Sequence, residues 1–172
     1  MTCLGKIVGG GFPVGAYGGK KEIMQHLAPE GGVYQAGTFS GNPVVMKAGL
    51  ATLRLLNKDF YRHLNEKAGA FAEHLNAFFA EEGIPAHLSC YHAMQSIRFR
   101  REPVKNYADA QTAAGGPLYA ELFHFLLGRG IYWPPADLEA FFISGMHSPK
   151  ELAHLTQCLK DFFHAKKKGI PS

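Results

Sequence analysis

One lysine near the start of the chain stands apart from the other charged residues. Lys6 lies in residues 4–16, whose other members are glycines, aliphatic residues, one phenylalanine and one proline, and the next charged residue is Lys20. A lysine amine in an apolar, partly desolvated setting loses proton affinity. The neutral amine can then attack a carbonyl group and form a Schiff base. The surrounding glycines permit positive φ and let the backbone approach a flat ligand closely.

A second stretch, residues 34–43, has the composition of an anion-binding loop that runs into a helix. Its glycine, threonine and serine residues offer the backbone N–H and hydroxyl groups that commonly bind phosphate. Asn42 and Pro43 are typical of the N-cap and the first residue of a helix. A capped loop without a ligand is the alternative interpretation.

Three other interpretations of the lysine-containing stretch are open from the residues alone. Lys6 could be an ordinary exposed lysine beside a glycine-rich turn, since most lysines are exposed. A dinucleotide site is disfavoured because the glycines do not fall in the spacing G-x-G-x-x-G. A phosphate loop of the nucleotide-triphosphatase type is disfavoured because Gly19 and Lys20 are followed by Lys21 and not by serine or threonine.

The two stretches together resemble the class III aminotransferase family of pyridoxal-phosphate enzymes. They read L-G-K-I-V-G-G-G-F-P-V-G-A-Y-G-G over residues 4–19 and Y-Q-A-G-T-F-S-G-N-P over residues 34–43. The resemblance is specific over residues 3–56 and continues more loosely to about residue 165. It is strongest to the aminomutase branch of the family, an isomerase group that converts glutamate-1-semialdehyde to 5-aminolevulinate in tetrapyrrole biosynthesis.

This resemblance implies a role for several residues. Lys6 would form the Schiff base with pyridoxal phosphate and would carry protons between substrate and cofactor as a general acid/base. Gly37 and Thr38 match the loop that reaches the cofactor phosphate of the neighbouring subunit, which implies a homodimer with shared active sites. His147 fits a histidine of the family, and a structural role is the favoured interpretation for it.

The small-domain segment bears on which branch of the family the chain resembles. Many class III transaminases hold the substrate carboxylate with an arginine just before a Pro-Pro element, but residues 130–142 contain no arginine. This difference favours the aminomutase, and Glu139 matches its glutamate and would tune the active site. A solvated loop carboxylate is the alternative for Glu139. A class III transaminase with an external amino acceptor and an inactive fragment that acts only as an interaction module are the alternative functions.

The resemblance also implies the fold and the domain organisation. The fold would be the α/β class of fold-type-I pyridoxal-phosphate transferases. Residues 1–58 would form the end of the large cofactor-binding domain, and residues 59–172 a small C-terminal α+β domain with a long connecting helix over 59–82. Because the family's lysine lies well past the middle of the chain, we interpret the sequence as a C-terminal fragment. We expect such a fragment to bind pyridoxal phosphate poorly and not to turn over alone.

Local patterns predict individual elements. Apolar residues at helical spacing predict amphipathic helices, and Ser148 with Glu151 forms a capping-box signature. Alternating or continuous apolar runs bounded by glycine and proline predict strands. The predicted helices cover residues 43–56, 59–82, 117–129 and a final helix from 149, and the predicted strands include residues 14–18, 95–100, 131–133 and 141–144.

Composition limits the class of protein. The chain has 172 residues, of which 47% are hydrophobic and 19% charged, as in globular proteins. Its net charge of +4 includes residues 166–168, which we interpret as part of a frayed tail over 166–172 and not as a nucleic-acid patch.

Cys3, Cys90 and Cys158 are too scattered for a disulfide framework, so we expect a reducing, cytoplasmic compartment. No apolar run is long enough to span a membrane. Residues 87–92 hold too few ligands for a metal site, so we expect no metal.

Overall fold

The chain divides into two compact units, Met1–Tyr61 and Arg62–Ser172. The computed structural model of the protein describes residues 1–167. Both units combine helices with antiparallel strands.

The first unit consists of a short hairpin, a 3₁₀ turn and two helices. In chain order these are β1 (Thr2–Leu4), the 3₁₀ turn (Lys6–Gly9), β2 (Ala16–Gly18), α1 (Lys21–Met24) and α2 (Pro43–Leu55). The strands pair antiparallel, with Leu4 opposite Ala16. The strand predicted over residues 14–18 is thus present in shorter form, but its residues are exposed or half-buried and not buried as expected. Within the described residues β2 pairs with β1 alone, and a two-stranded hairpin leaves most of its surface uncovered.

Helix α2 begins where the sequence predicted. The side-chain oxygen of Asn42 accepts hydrogen bonds from the backbone N–H groups of Val44 (3.0 Å) and Val45 (3.3 Å). Pro43 is the first helical residue, where its missing N–H costs nothing. This cap fixes the direction in which the preceding loop, which carries Gly37 and Thr38, enters the helix.

The second unit contains a three-stranded antiparallel sheet and most of the long helix. Its elements are α3 (Lys58–Glu81, whose first residues lie in the first unit), β3 (His87–Tyr91), β4 (Met94–Arg98), α4 (Tyr107–Thr112), α5 (Pro117–Leu127), β5 (Phe141–Phe142) and α6 (Pro149–Lys166). The sheet order is β3-β4-β5. Ser148 and Glu151 form the predicted capping box at the start of α6.

The hydrophobic core of the second unit lies between the long helices and the β3–β4 hairpin. The aromatic stripe predicted on α3 is buried there from Ala68 to Phe79. Phe79 packs against Phe163 of α6 with ring centroids 4.8 Å apart, in an edge-to-face arrangement that aromatic pairs prefer. The largest fully buried side chains are Phe79, Phe162, Phe163, Leu75, Ile84, Leu88, Ile97, Leu122, Leu126, Leu159 and Gln95.

Two strand predictions for this unit were wrong in part. Residues 131–133 form no strand; Trp133 is buried instead by packing on Phe141, at a centroid distance of 4.3 Å. Residues 95–100 were expected to be half exposed, but Gln95 is 1% and Arg98 5% exposed. Both polar side chains find partners inside the fold: the Gln95 amide donates to the backbone carbonyl of Ala68 (2.7 Å), and Arg98 forms an ion pair described below.

The predicted frayed tail begins later than expected. Helix α6 continues to Lys166, whose ammonium group pairs with Glu121. Lys167 lies 3.8 Å from a carboxylate oxygen of Glu82. The remainder of the predicted tail, residues 168–172, lies outside the described residues.

Candidate active site

Lys6 occupies an unusual backbone position. It is the first residue of the 3₁₀ turn and has φ of +55°, one of two positive values among non-glycine residues in the described chain. Side chains rarely adopt this left-handed region because the Cβ atom crowds the backbone. Within residues 1–167 no hydrogen bond or ion pair engages its amine. The turn therefore holds an unengaged primary amine at a fixed, strained position.

The apolar, partly desolvated setting expected for Lys6 is not found. The lysine is exposed, and so are its neighbours Leu4 and Ile7, at 56% and 62%. Flanking apolar residues do not desolvate a side chain unless other elements cover them, and the first unit supplies no such cover. The sequence argument was therefore wrong about the environment of Lys6, and the role of this lysine stays a prediction.

The glycines around Lys6 have a packing role that the sequence argument did not foresee. A Cβ atom on Gly10 would lie 2.6 Å from the carbonyl oxygen of Ala48, and one on Gly49 would lie 2.5 Å from that of Val8. Such distances are well inside van der Waals contact. These glycines let the 3₁₀ turn lie directly on α2, and the helix thereby sets the position of Lys6.

Gly37 and Thr38 open a tight turn ahead of α2. The Ser40 N–H donates to the carbonyl oxygen of Gly37 (2.9 Å), and the Thr38 and Ser40 side chains are exposed. A Cβ atom on Gly37 would lie 2.9 Å from the Ser40 hydroxyl oxygen, so a larger residue would displace that hydroxyl. The turn thus presents the hydroxyl groups of Thr38 and Ser40. Only glycine fits at position 37 without moving the Ser40 hydroxyl.

The turn borders a groove that the sequence did not predict. The groove measures about 770 Å³ and is lined mainly by apolar residues of β1, β2, α1 and the loop after it, together with Gly37, Thr38 and Ser40. Lys6 is not among its lining residues. The structure therefore does not bring Lys6 and Thr38 into one pocket of a single chain.

Glu139 lies in an exposed turn of the second unit. Its backbone N–H donates to the carbonyl oxygen of Ala136 (3.0 Å), and its side chain is exposed. No hydrogen bond or ion pair to its carboxylate occurs within the part of the chain that the structure describes. It is therefore available for an external partner, as Lys6 is.

An arginine reaches the Pro-Pro segment from elsewhere in the chain. The Arg98 guanidinium, on β4, lies 3.2 Å from a carboxylate oxygen of Asp137 and also donates to the Asp137 backbone carbonyl. Sequence reasoning found no arginine inside residues 130–142 and missed this one. The one signal in the sequence was a charged residue inside a predicted strand, and nothing local pointed to its partner.

His147 holds its own loop together. Its Nδ1 accepts a hydrogen bond from the Ser144 N–H (3.0 Å). The Lys67 ammonium donates to the backbone carbonyls of Gly145 (3.1 Å) and His147 (2.9 Å). These contacts agree with the structural role that was favoured for this histidine.

Two further searches of the described residues gave negative results. No group of three or more His, Cys, Asp or Glu side chains is arranged to hold a metal ion in residues 1–167. No helix in the same range has the length and apolar character needed to cross a membrane.

Comparison with known proteins gives consistent matches. The family model "Aminotransferase class-III" matches residues 1–154. The glutamate-1-semialdehyde 2,1-aminomutase of Syntrophobacter fumaroxidans is 48% identical over 153 residues, which is 88% of this chain and 35% of the relative. The enzyme of the same name from Nitratidesulfovibrio vulgaris is 45% identical over 153 residues, with coverages of 89% and 36%. The chain thus spans little more than a third of the length of these relatives.

A solved structure supports the fold class expected from the sequence. The β-phenylalanine aminotransferase of Variovorax paradoxus is 28% identical, with a TM-score of 0.84 over 98% of this chain and 39% of that protein. This likeness confirms the expected fold class, an α/β transferase of fold type I with an α+β second unit. Because the family model covers most of the sequence, the chain belongs to the class III aminotransferase family.

Proposed function

We propose that this chain supplies part of the active site of a pyridoxal-phosphate-dependent aminomutase that converts glutamate-1-semialdehyde to 5-aminolevulinate. The observation that carries the proposal is the 45–48% identity, over about nine-tenths of the chain, to relatives that bear the aminomutase name. Since the chain spans little more than a third of those relatives, activity of the 172 residues alone is not part of the proposal.

The residues present fit pyridoxal phosphate. The Lys6 amine is exposed and unengaged within the described chain, as a covalent link to an aldehyde requires. Thr38 and Ser40 present hydroxyl groups at a tight turn whose glycine leaves them room, which suits a phosphate. When bound, this cofactor supplies an electron sink for the carbon from which the amine is moved.

The chain's own residues would then act on the bound groups in defined ways. Lys6 would hold the cofactor covalently and, once released, would move a proton at its Nζ as a general acid/base. The Thr38 hydroxyl, with the backbone at Gly37, would bind the cofactor phosphate of a neighbouring subunit. Glu139 would place a negatively charged carboxylate near the substrate and so tune the electrostatics of the active site.

We propose that the whole enzyme has the two-domain organisation and the homodimer that the family resemblance implies. Residues 1–58 would belong to the large cofactor-binding domain and residues 59–172 to the small domain. The enzyme would be a cytoplasmic homodimer in which each turn at Gly37 and Thr38 serves the partner's cofactor. Support for a dimer comes from the class III aminotransferase family to which the chain belongs.

Peptide mapping of a reduced cofactor adduct tests the proposal directly. The purified chain is incubated with pyridoxal phosphate, its absorbance is recorded, and borohydride is added to fix cofactor bound to an amine. We expect little adduct in total, because the chain spans little more than a third of its relatives, but the adduct that forms should lie mainly on Lys6 and should be lost in Lys6→Ala. Adducts spread equally over Lys6, Lys20 and Lys21 would contradict a built site within this chain.

A class III transaminase is the second candidate function. The observation that favours it is the likeness to the Variovorax paradoxus aminotransferase, which is 28% identical to this chain and has a TM-score of 0.84. The two functions differ in their need for a second substrate. The test is an assay of an enzyme assembled from this chain and the rest of the fold, with and without an amino acceptor. An aminomutase makes 5-aminolevulinate without the acceptor, whereas a transaminase requires it.

A further inference from the structure

Arg98 and Asp137 form a largely buried ion pair in the second unit. The Arg98 side chain is 6% exposed and that of Asp137 15%. The guanidinium Nη1 donates to the carboxylate of Asp137 (3.2 Å), to the backbone carbonyl of the same residue and to that of Ile97 (3.0 Å). The second carboxylate oxygen of Asp137 accepts from the Gly115 N–H. Charges removed from water in this way persist only with several such partners.

The pair fixes the middle of the segment that carries Glu139. Residues 134–139 form no regular strand or helix, so their position depends on side-chain contacts. At the start of the segment, the Tyr119 hydroxyl donates to the Pro134 carbonyl (2.9 Å). After it, Phe141 pairs with Gln95 in the sheet and packs on Trp133. Asp137 is the anchor between these two.

Glu139 contrasts with its surroundings. Two residues before it, Asp137 is held by Arg98, and two residues after it, Phe141 is held by the sheet. Glu139 itself is exposed and makes no hydrogen bond or ion pair through its carboxylate among residues 1–167. A carboxylate without a partner on a firmly held segment is the arrangement of a preorganised functional group.

We propose that Arg98 is a positioning residue: by pairing with Asp137 it sets the position from which Glu139 acts on the substrate. The role of Glu139 rests on the proposed function, whereas the control of its segment by Arg98 does not. The Arg98 side chain is 6% exposed and its Nη1 is already bonded to Asp137, which leaves it little access to a substrate carboxylate. It therefore acts through Asp137 and not by contact with substrate.

Amide hydrogen exchange of the purified chain tests the proposal. Two N–H groups report on the segment: that of Glu139, bonded to Ala136, and that of Gly115, bonded to Asp137. We expect Arg98→Met to speed exchange at both by roughly tenfold, because the unpaired Asp137 carboxylate moves toward water. Arg98→Lys keeps the positive charge and should restore most of the protection. Arg100→Met is the matched control, since Arg100 pairs among residues 1–167 only with the exposed Glu102.

The outcomes separate positioning from general stability. Faster exchange at Glu139 and Gly115, with unchanged exchange in the α3–α6 core and rescue by Arg98→Lys, supports the proposal. Unchanged exchange at Glu139 in Arg98→Met overturns it. Equal acceleration throughout the unit, in Arg98→Met and Arg98→Lys alike, also overturns it, because the pair then serves the fold as a whole. The turnover of Glu139→Gln in the assembled enzyme tests the proposed function separately, and a loss of turnover is expected.

Discussion

At the scale of single residues, Lys6 combines a reactive group with a strained backbone. Its φ of +55° costs a non-glycine residue about 1 kcal/mol relative to glycine. Strain of this kind concentrates at functional sites, where the surrounding structure holds it in place. Here the holding structure is the close contact between the 3₁₀ turn and α2, which Gly10 and Gly49 permit.

A pair of substitutions separates the amine from the strain. Lys6→Gly should stabilise the 3₁₀ turn by up to about 1 kcal/mol, because glycine adopts positive φ freely. Lys6→Ala removes the amine equally but keeps a Cβ atom, so it should leave the turn's stability unchanged. Native-state hydrogen exchange at the Gly10 N–H, which donates to the Ile7 carbonyl (3.0 Å), measures both. Equal protection in the two variants would falsify the strain argument.

A second residue-scale effect concerns pH. Burial lowers the pKa of His87, which lies on β3. A histidine whose pKa is lower in the folded than in the unfolded chain disfavours folding once the unfolded chain takes up the proton. Stability should therefore be lost as pH falls below about 6.5, the ordinary histidine value.

Urea unfolding between pH 7.5 and pH 5 measures this dependence. The decline in the free energy of unfolding should be shallower in His87→Gln than in the parent chain. His92→Gln, at an exposed position one residue beyond the end of β3, controls for the loss of one histidine. An identical pH dependence in the parent and His87→Gln would rule out a contribution from His87.

At the scale of elements, two glycines in helices make opposite predictions. Gly49→Ala places a Cβ atom 2.5 Å from the Val8 carbonyl and should loosen the contact between α2 and the 3₁₀ turn by about 1–3 kcal/mol. Gly69→Ala, in α3, meets nothing within 4 Å and should stabilise its helix by about 0.5–1 kcal/mol. Hydrogen exchange in each helix and in the turn checks both. A stabilising Gly49→Ala would show that the turn does not rest on α2.

The elements that could be predicted from sequence are those fixed by local chemistry. The Asn42 cap and the Ser148 capping box involve residues within three positions of each other, and both helices begin where these signals stand. Burial of strands was predicted less well, because it depends on distant residues. Arg98 is buried through a partner 39 positions away, a pairing that no local pattern reveals.

The candidate site shows the same limit. The resemblance that residues 4–19 and 34–43 carry to the class III family led to the selection of Lys6, Gly37 and Thr38, and these assignments remain predictions. The exposure of Lys6 and the groove beside Thr38 could not be foreseen, because each depends on which elements cover the hairpin and the turn. Sequence thus led to a prediction of the chemistry, while the surroundings of these residues depend on tertiary contacts.

At the scale of the whole molecule, the two units differ in how much core they contain. Val45 is the one buried hydrophobic residue of Met1–Tyr61 in the described structure, apart from buried glycines, whereas a continuous cluster of twenty buried residues lies in the second unit. Many large apolar side chains of the first unit are exposed, among them Tyr34 at 83% and Leu55 at 70%. Since burial of apolar area is the main force that folds a chain, the two units should differ in autonomy.

This difference predicts the behaviour of the isolated parts. A chain of residues 57–167, which keeps the Asn57 side chain bonded to the Phe60 N–H at the start of α3, should unfold in urea as one cooperative transition. A chain of residues 1–56 should show no cooperative transition, because its hairpin and α2 bury too little apolar surface to offset the conformational entropy lost on folding. Far-UV circular dichroism follows both, and the fluorescence of Trp133, the sole tryptophan, reports independently on the first. Cooperative unfolding of residues 1–56, or its absence from residues 57–167, would contradict this account of where the stability of the molecule resides.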